Sequence, residues 1–180
     1  MTNLISQAFT DNKKKLVTFV TGGDPDFNTS LEIIKTIINN GADIVEIGMP
    51  FSDPMADGPT IQQSSNRAIS KGIDLENIFS LVAEAKKIKN DLPIVLMGYY
   101  NLILYFGIEK FVKKCKENGV DGLIIVDLQP EEDEDLINEL KNSQIDLIRL
   151  ITPTTNEERL KLILKNASGF LYYVSVMGIT

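Results

Sequence analysis

The sequence has no histidine, no tryptophan and a single cysteine, Cys115, among its 180 residues. Without histidine, Ser-His-Asp and Cys-His nucleophile systems are excluded, as is any metal site built on imidazole. A lone cysteine excludes an intrachain disulfide and a Cys-only zinc site. Positive charge is also scarce: 18 Lys and Arg stand against 25 Asp and Glu, a net charge of −7. That balance argues against nucleic acid as a partner, because phosphates demand clustered basic residues. The short run Lys13-Lys14-Lys15 reads as solvated chain ahead of a strand. No apolar run approaches the roughly 20 residues that cross a bilayer. The start, Met1-Thr2-Asn3-Leu4, lacks a charged segment followed by an apolar one. A cytoplasmic, reducing location is the expectation. Carboxylate, lysine and tyrosine chemistry remains open.

What is present is a core and a rhythm. Hydrophobic residues make up 43% of the chain, enough for one domain over residues 1–180. Six short apolar segments recur: Leu16–Thr21, Ile44–Pro50, Ile94–Tyr99, Gly122–Leu128, Asp146–Ile151 and Gly169–Val176. Between them apolar residues fall at helical spacing. Examples are Ile33, Ile34, Ile37 and Ile38 before Asn40-Gly41, then Leu75, Ile78, Leu81, Val82 and Ala85. Further stripes are Phe111, Val112 and Cys115, then Leu136, Ile137 and Leu140. Thr155 with Glu158 reads as a capping box before Leu160 and Ile163. The run Glu131–Asp135 suits a first helical turn.

Strand–helix alternation of this kind implies parallel strands joined by crossover helices. A closed (β/α)₈ TIM barrel and an open doubly wound sheet both fit, so the class is α/β. Leu4, Ile5, Ala8 and Phe9 suggest an N-terminal helix that could plug a barrel floor. Only about six βα strands are present, and a barrel of this class needs at least about 200 residues. The domain is therefore expected to be incomplete at its C-terminus, with two βα units outside this sequence. The stretch Phe51–Gly72 is too long for a routine connection and is expected to be a functional loop.

The most informative residues lie around that loop. Glu46 sits mid-strand, and period-two alternation puts it on one face with Ile44 and Gly48. A carboxylate buried there must find a partner or stay protonated; the plainer alternative is a strand-end glutamate paired with a lysine. Asp53 and Asp57 lie in a loop stiffened by Pro50, Pro54 and Pro59. Barrel enzymes keep catalytic groups in such loops. Asp before Pro or Gly equally serves Asx turns, and spacing leaves that question even.

The stretch Glu46-Ile-Gly-Met-Pro-Phe-Ser-Asp-Pro-Met-Ala-Asp-Gly-Pro-Thr-Ile-Gln62 resembles the signature of the tryptophan synthase α subunit family. Phe19-Val-Thr-Gly-Gly-Asp-Pro-Asp26, Met97-Gly-Tyr-Tyr-Asn101, Val126-Asp-Leu128, Thr152-Pro-Thr-Thr155 and Phe170-Leu-Tyr-Tyr-Val-Ser175 agree with it. The resemblance implies a TIM barrel that cleaves indole-3-glycerol phosphate to indole and glyceraldehyde 3-phosphate. It implies a lyase of tryptophan biosynthesis, without a cofactor of its own. The partner would be a β subunit that holds pyridoxal phosphate, in an α₂β₂ heterotetramer.

Residue by residue, the resemblance places the catalytic carboxyls on Glu46 and Asp57. It places substrate contacts on Phe19, Met97, Tyr172 and Thr180, and a β-subunit contact on Asp53. The family often has proline at the position of Leu102, and Pro-Pro where this chain has Gln129-Pro130; both departures concern partner contact. Epimerase barrels rely on metal-binding histidines and indole-glycerol-phosphate synthase on strand lysines, and neither is present. A non-catalytic barrel that only binds and activates a β partner is the remaining alternative, and the two readings part at Glu46.

Overall fold

The structure is a computed structural model that describes residues 3–11 and 13–175. Parallel strands β1 (Val17–Thr21), β2 (Ile44–Gly48), β3 (Ile94–Gly98), β4 (Gly122–Ile125) and β5 (Asp146–Leu147) form one sheet in sequence order. Strands β6 (Arg149–Ile151) and β7 (Leu171–Tyr173) pair in parallel as a second, two-stranded sheet that follows directly on β5. The segment 146–151, expected as one strand, is interrupted at Ile148, whose N–H still bonds the Leu123 carbonyl at 2.9 Å. Pairing between β4 and β5 ends at Leu123 with Leu147.

Strand order never reverses. A doubly wound sheet has a switch point where the order turns back; this chain has none among its described strands. Its strands instead converge on an inner apolar cluster of Ile44, Val95, Ile124 and Ile148, with Leu150 and Tyr172 packed against it. The opposite strand faces carry Val45, Ile47, Leu96, Leu123 and Leu147 into a second, larger cluster with the helices. An inner core and an outer helix layer are the two shells of a barrel, here present as an arc.

Helix α1 (Leu4–Ala8) forms where the N-terminal spacing predicts it, capped by the Asn3 side chain. Its Ile5 is fully buried in the inner cluster. Gly122 makes room for it: a Cβ there would lie 2.7 Å from Ile5 Cδ1. The Asn3 amide also donates to Asp146, so α1 closes the barrel floor by packing and by a polar latch.

The remaining helices are α2 (Phe27–Asn39), α3 (Pro59–Ser70), α4 (Leu75–Ile88), α5 (Tyr100–Phe106), α6 (Ile108–Asn118), α7 (Glu134–Leu140) and α8 (Glu157–Leu164). The stretch Phe51–Gly72 is not loop throughout. Its second half is α3, started by Pro59 in the first helical turn, where a missing N–H costs nothing. The cap of α8 is Asn156, which accepts the Arg159 N–H, not Thr155. Thr155 instead accepts from the Thr152 N–H through its hydroxyl. Of the acidic run, Glu134 and Asp135 occupy the first turn of α7. Asp133 is buried against Arg149, and Glu131 pairs with Arg159. No helix among the described residues is long and apolar enough to cross a membrane.

Candidate active site

Glu46 lies in the middle of β2, in register with Phe19 on β1 and Val95 on β3. It is 2% exposed. Its Oε1 is buried without a hydrogen-bond partner among the described residues, so the lysine-paired alternative does not hold. Burial pushes its carboxyl from the ordinary 4.5 up to about 7, because the ionised form has lost its water. Tyr172, on the inner face of β7, feels the same carboxylate. Its phenol is raised first by burial and then by the Glu46 charge.

Above Glu46, toward the C-terminal ends of the strands, the inner face opens. Gly48 leaves space there that the Phe19 ring occupies. A small cavity of about 30 Å³ is lined by Phe19, Gly48, Asp57, Met97, Tyr99 and Val126, among others. Three of the expected site residues, Phe19, Asp57 and Met97, thus come together in one cavity, with Glu46 one inward step below Gly48.

Asp57 reaches this place because the helix that follows its loop is tied down. Helix α3 is fastened over β1 by Ser64, whose hydroxyl meets that of Thr21 at 2.7 Å. Arg67 makes a two-pronged bond to Asp24, each arm 2.7 Å. Gln62 Nε2 donates to the Asp57 carbonyl at 2.7 Å. The Asp57 carboxyl is raised from its ordinary value by partial burial, and a hydrogen bond from the Tyr99 hydroxyl opposes that rise.

Asp53 stands apart from this cluster. It is exposed, accepts from the Ser52 hydroxyl and does not line the cavity. Thr180 lies outside the described residues. A larger cavity of about 470 Å³ sits on the outer side of the same loop. Pro50, Phe51, Leu102 and Tyr105 help to line it, and none of the expected site residues does. Chemistry is better sought in the small cavity, where a perturbed carboxyl and perturbed phenol meet.

Tyr99 is the residue that sequence reasoning passed over. It follows Gly98 at the end of β3, and its hydroxyl accepts the Ala56 N–H at 3.0 Å. The available signal was its place: a tyrosine directly after a strand, at the end where barrels keep their sites. Asp127, in the quoted Val126-Asp-Leu128, accepts the Tyr100 N–H at 2.8 Å.

Comparison with known proteins decides the family. The family model for the tryptophan synthase alpha chain matches residues 5–180. The chain belongs to the tryptophan synthase α chain family. It superposes on the tryptophan synthase α subunit of Legionella pneumophila with a TM-score of 0.93 at 36% identity, covering 97% of this chain and 68% of that one. A solved structure from Aquifex aeolicus matches with a TM-score of 0.93 at 43% identity over 98% of this chain and 71% of the other. The tryptophan synthase complex of Pyrococcus furiosus contains a chain matched at 38% identity and a TM-score of 0.84, over 89% of this chain and 66% of that one. The arc of strands is accordingly part of a TIM barrel, and the α chain's role is a lyase role in tryptophan biosynthesis.

Proposed function

We propose that this α chain performs the retro-aldol cleavage of indole-3-glycerol phosphate to indole and glyceraldehyde 3-phosphate. The observation that carries the reading is Glu46: a buried carboxyl on the inner face whose Oε1 has no hydrogen-bond partner among the described residues, with its pKa near 7. Cleavage needs the indole ring protonated at C3, which makes an indolenine. The hydroxyl on the adjoining side-chain carbon then loses its proton as the C–C bond breaks and the electron pair returns to the ring. One carboxyl serves both steps, giving its proton to C3 and taking one back from the hydroxyl. A pKa near 7 suits both directions at neutral pH.

Asp57 takes the second role. In the indolenine, positive charge grows at indole N1–H, and an ionised carboxylate beside it lowers the energy of that state. Asp57 sits on a partly solvated loop, where a hydrogen bond from Tyr99 opposes the rise that burial causes and so favours its ionised form. Two carboxyls with environments that separate their proton affinities provide an acid and a charge stabiliser without metal or imidazole.

Phe19 and Met97 flank the cavity and would hold the indole plane, and Tyr172 would contact substrate beside Glu46. Thr180 would help to close the site. Exposed Asp53 fits a contact with a β subunit. That partner would bring pyridoxal phosphate and join indole to serine, in an α₂β₂ assembly working in the cytoplasm. The Pyrococcus furiosus match, a chain of a tryptophan synthase complex, supports the partnership.

The test is indole release from indole-3-glycerol phosphate by the complete polypeptide, with and without a β subunit. Release that disappears in Glu46→Gln, while activation of the β subunit survives, supports the lyase reading. Activation of β with no indole from the wild type would favour a purely activating barrel.

A further inference from the structure

We propose that Tyr99 is a positioning residue for this site: its hydroxyl fastens the loop after β2 so that Asp57 faces the cavity. The proposal rests on the retro-aldol reading and deepens it by naming what sets the geometry of the second carboxyl. Tyr99 touches no reacting atom in this scheme; it acts through Asp57.

The loop from Phe51 to Gly58 has little packing of its own. Ser52, Asp53 and Ala56 are exposed, and Met55 is 78% exposed. Tyr99, in contrast, is 3% exposed and continues directly from β3. The next residue is held too, since Asp127 accepts the Tyr100 N–H. The phenol is therefore mounted on rigid sheet, and it grips the loop twice. Its ring packs against Phe51 with centroids 5.2 Å apart, at the loop's start. Its hydroxyl engages Ala56 and Asp57 at the loop's end.

The hydrogen-bond arithmetic gives the hydroxyl a direction. A tyrosine oxygen carries one proton. The Ala56 N–H occupies an acceptor position at 3.0 Å, which leaves the proton for the Asp57 carboxylate. The phenol keeps that proton throughout the working range, because burial and the neighbouring carboxylates push it up to about 12. Tyr99 and Asp57 line the same cavity, so a phenol proton aimed there would engage one Asp57 oxygen, in keeping with its lowering of the Asp57 pKa, and leave the other to meet the indole N–H. Such a charge-assisted bond fixes orientation as well as ionisation.

The experiment compares Tyr99→Phe, Asp57→Asn and the double variant in the complete polypeptide with its β partner. Phenylalanine keeps the ring contact with Phe51 and removes only the hydroxyl. Tyr99→Phe should lower kcat about ten- to hundredfold with little change in KM. The acid limb of the kcat/KM profile should move to higher pH, since the bond that lowers the Asp57 pKa is gone. On the Asp57→Asn background the same change should alter kcat less than about twofold, as expected of groups acting as a unit. An unmoved acid limb, or the full loss repeated on that background, overturns the proposal. Hydrogen exchange at the Ala56 amide gives an activity-independent readout: Tyr99→Phe should cut its protection at least about tenfold, and unchanged protection overturns the claim. If the wild type releases no indole, the lyase reading fails, while the Ala56 amide still decides the role of Tyr99.

Discussion

The Phe19 ring rests on the bare Cα of Gly48: a Cβ there would lie 2.7 Å from the ring Cζ and 2.9 Å from Cε2. Register pairs Phe19 with Glu46 and Thr21 with Gly48, so the ring leans one step along the barrel axis, over the strand that carries Glu46. Gly48 is needed for close approach and not for an unusual backbone angle. Gly48→Ala should therefore fold, because Phe19 is 39% exposed and can swing aside. The displaced ring should raise KM for indole-3-glycerol phosphate by about tenfold or more, a loss of roughly 1–3 kcal/mol. Steady-state kinetics checks this, with a thermal melt to show that the fold is retained.

Glu46 should also make stability depend on pH in an unusual direction. Its folded pKa, about 7, lies above the ordinary 4.5, so the folded chain holds the proton more tightly than the unfolded chain does. The protonated form carries no penalty below about pH 4.5. Stability is then lost as pH rises to about 7, and the loss levels off above that. The full effect is about 3 kcal/mol. Subtracting the urea stability of Glu46→Gln from that of the wild type at several pH values isolates this slope from those of the other carboxylates. The difference should fall between pH 5 and 7 and be flat at pH 8.

Helix α1 should matter for stability and not for chemistry. Ile5 is fully buried between Gly122 and Ile148 on the barrel floor. Ile5→Ala should cost about 2–4 kcal/mol in urea unfolding, while the pH profile of indole release keeps its shape.

The buried pair of Arg149 and Asp133 makes a separate prediction. Arg149 is 4% and Asp133 3% exposed, and Arg149 also donates to the Leu128 carbonyl at 3.0 Å. Arg149→Met should cost about 3–5 kcal/mol, because it strands a buried carboxylate. Adding Asp133→Asn should recover most of that loss, since Asn166 still bonds the side chain at 133. Urea unfolding of both variants measures it.

The outline of the fold was legible because parallel strands buried on both faces are largely apolar, and β2 to β4 are, apart from Glu46. The plug helix was legible from four apolar residues at helical spacing. The interruption at Ile148 was not, because Asp146, Arg149 and the residues between them carry no local break signal. Helix α3 hid inside Phe51–Gly72 because its sequence, Pro59–Ser70, is rich in Ser, Gln and Asn, which carry little hydrophobic rhythm. Asn156 displaced Thr155 as cap because either side chain can accept a backbone N–H, and only the loop's path decides. At the site, alternation alone placed Glu46 inward, whereas Asp57 needed the family signature, since an aspartate before glycine has an ordinary use in turns. Tyr99 required three-dimensional proximity to a loop more than forty positions away in the chain.

The most direct test of the account is the titration of the Glu46 side-chain carboxyl itself, followed by carbon-13 NMR in the complete protein without substrate. The midpoint should lie near pH 7 and stay there in Tyr99→Phe. A midpoint in the ordinary carboxylate range near 4.5 would contradict it, because a glutamate ionised at neutral pH has no proton to give to the indole ring.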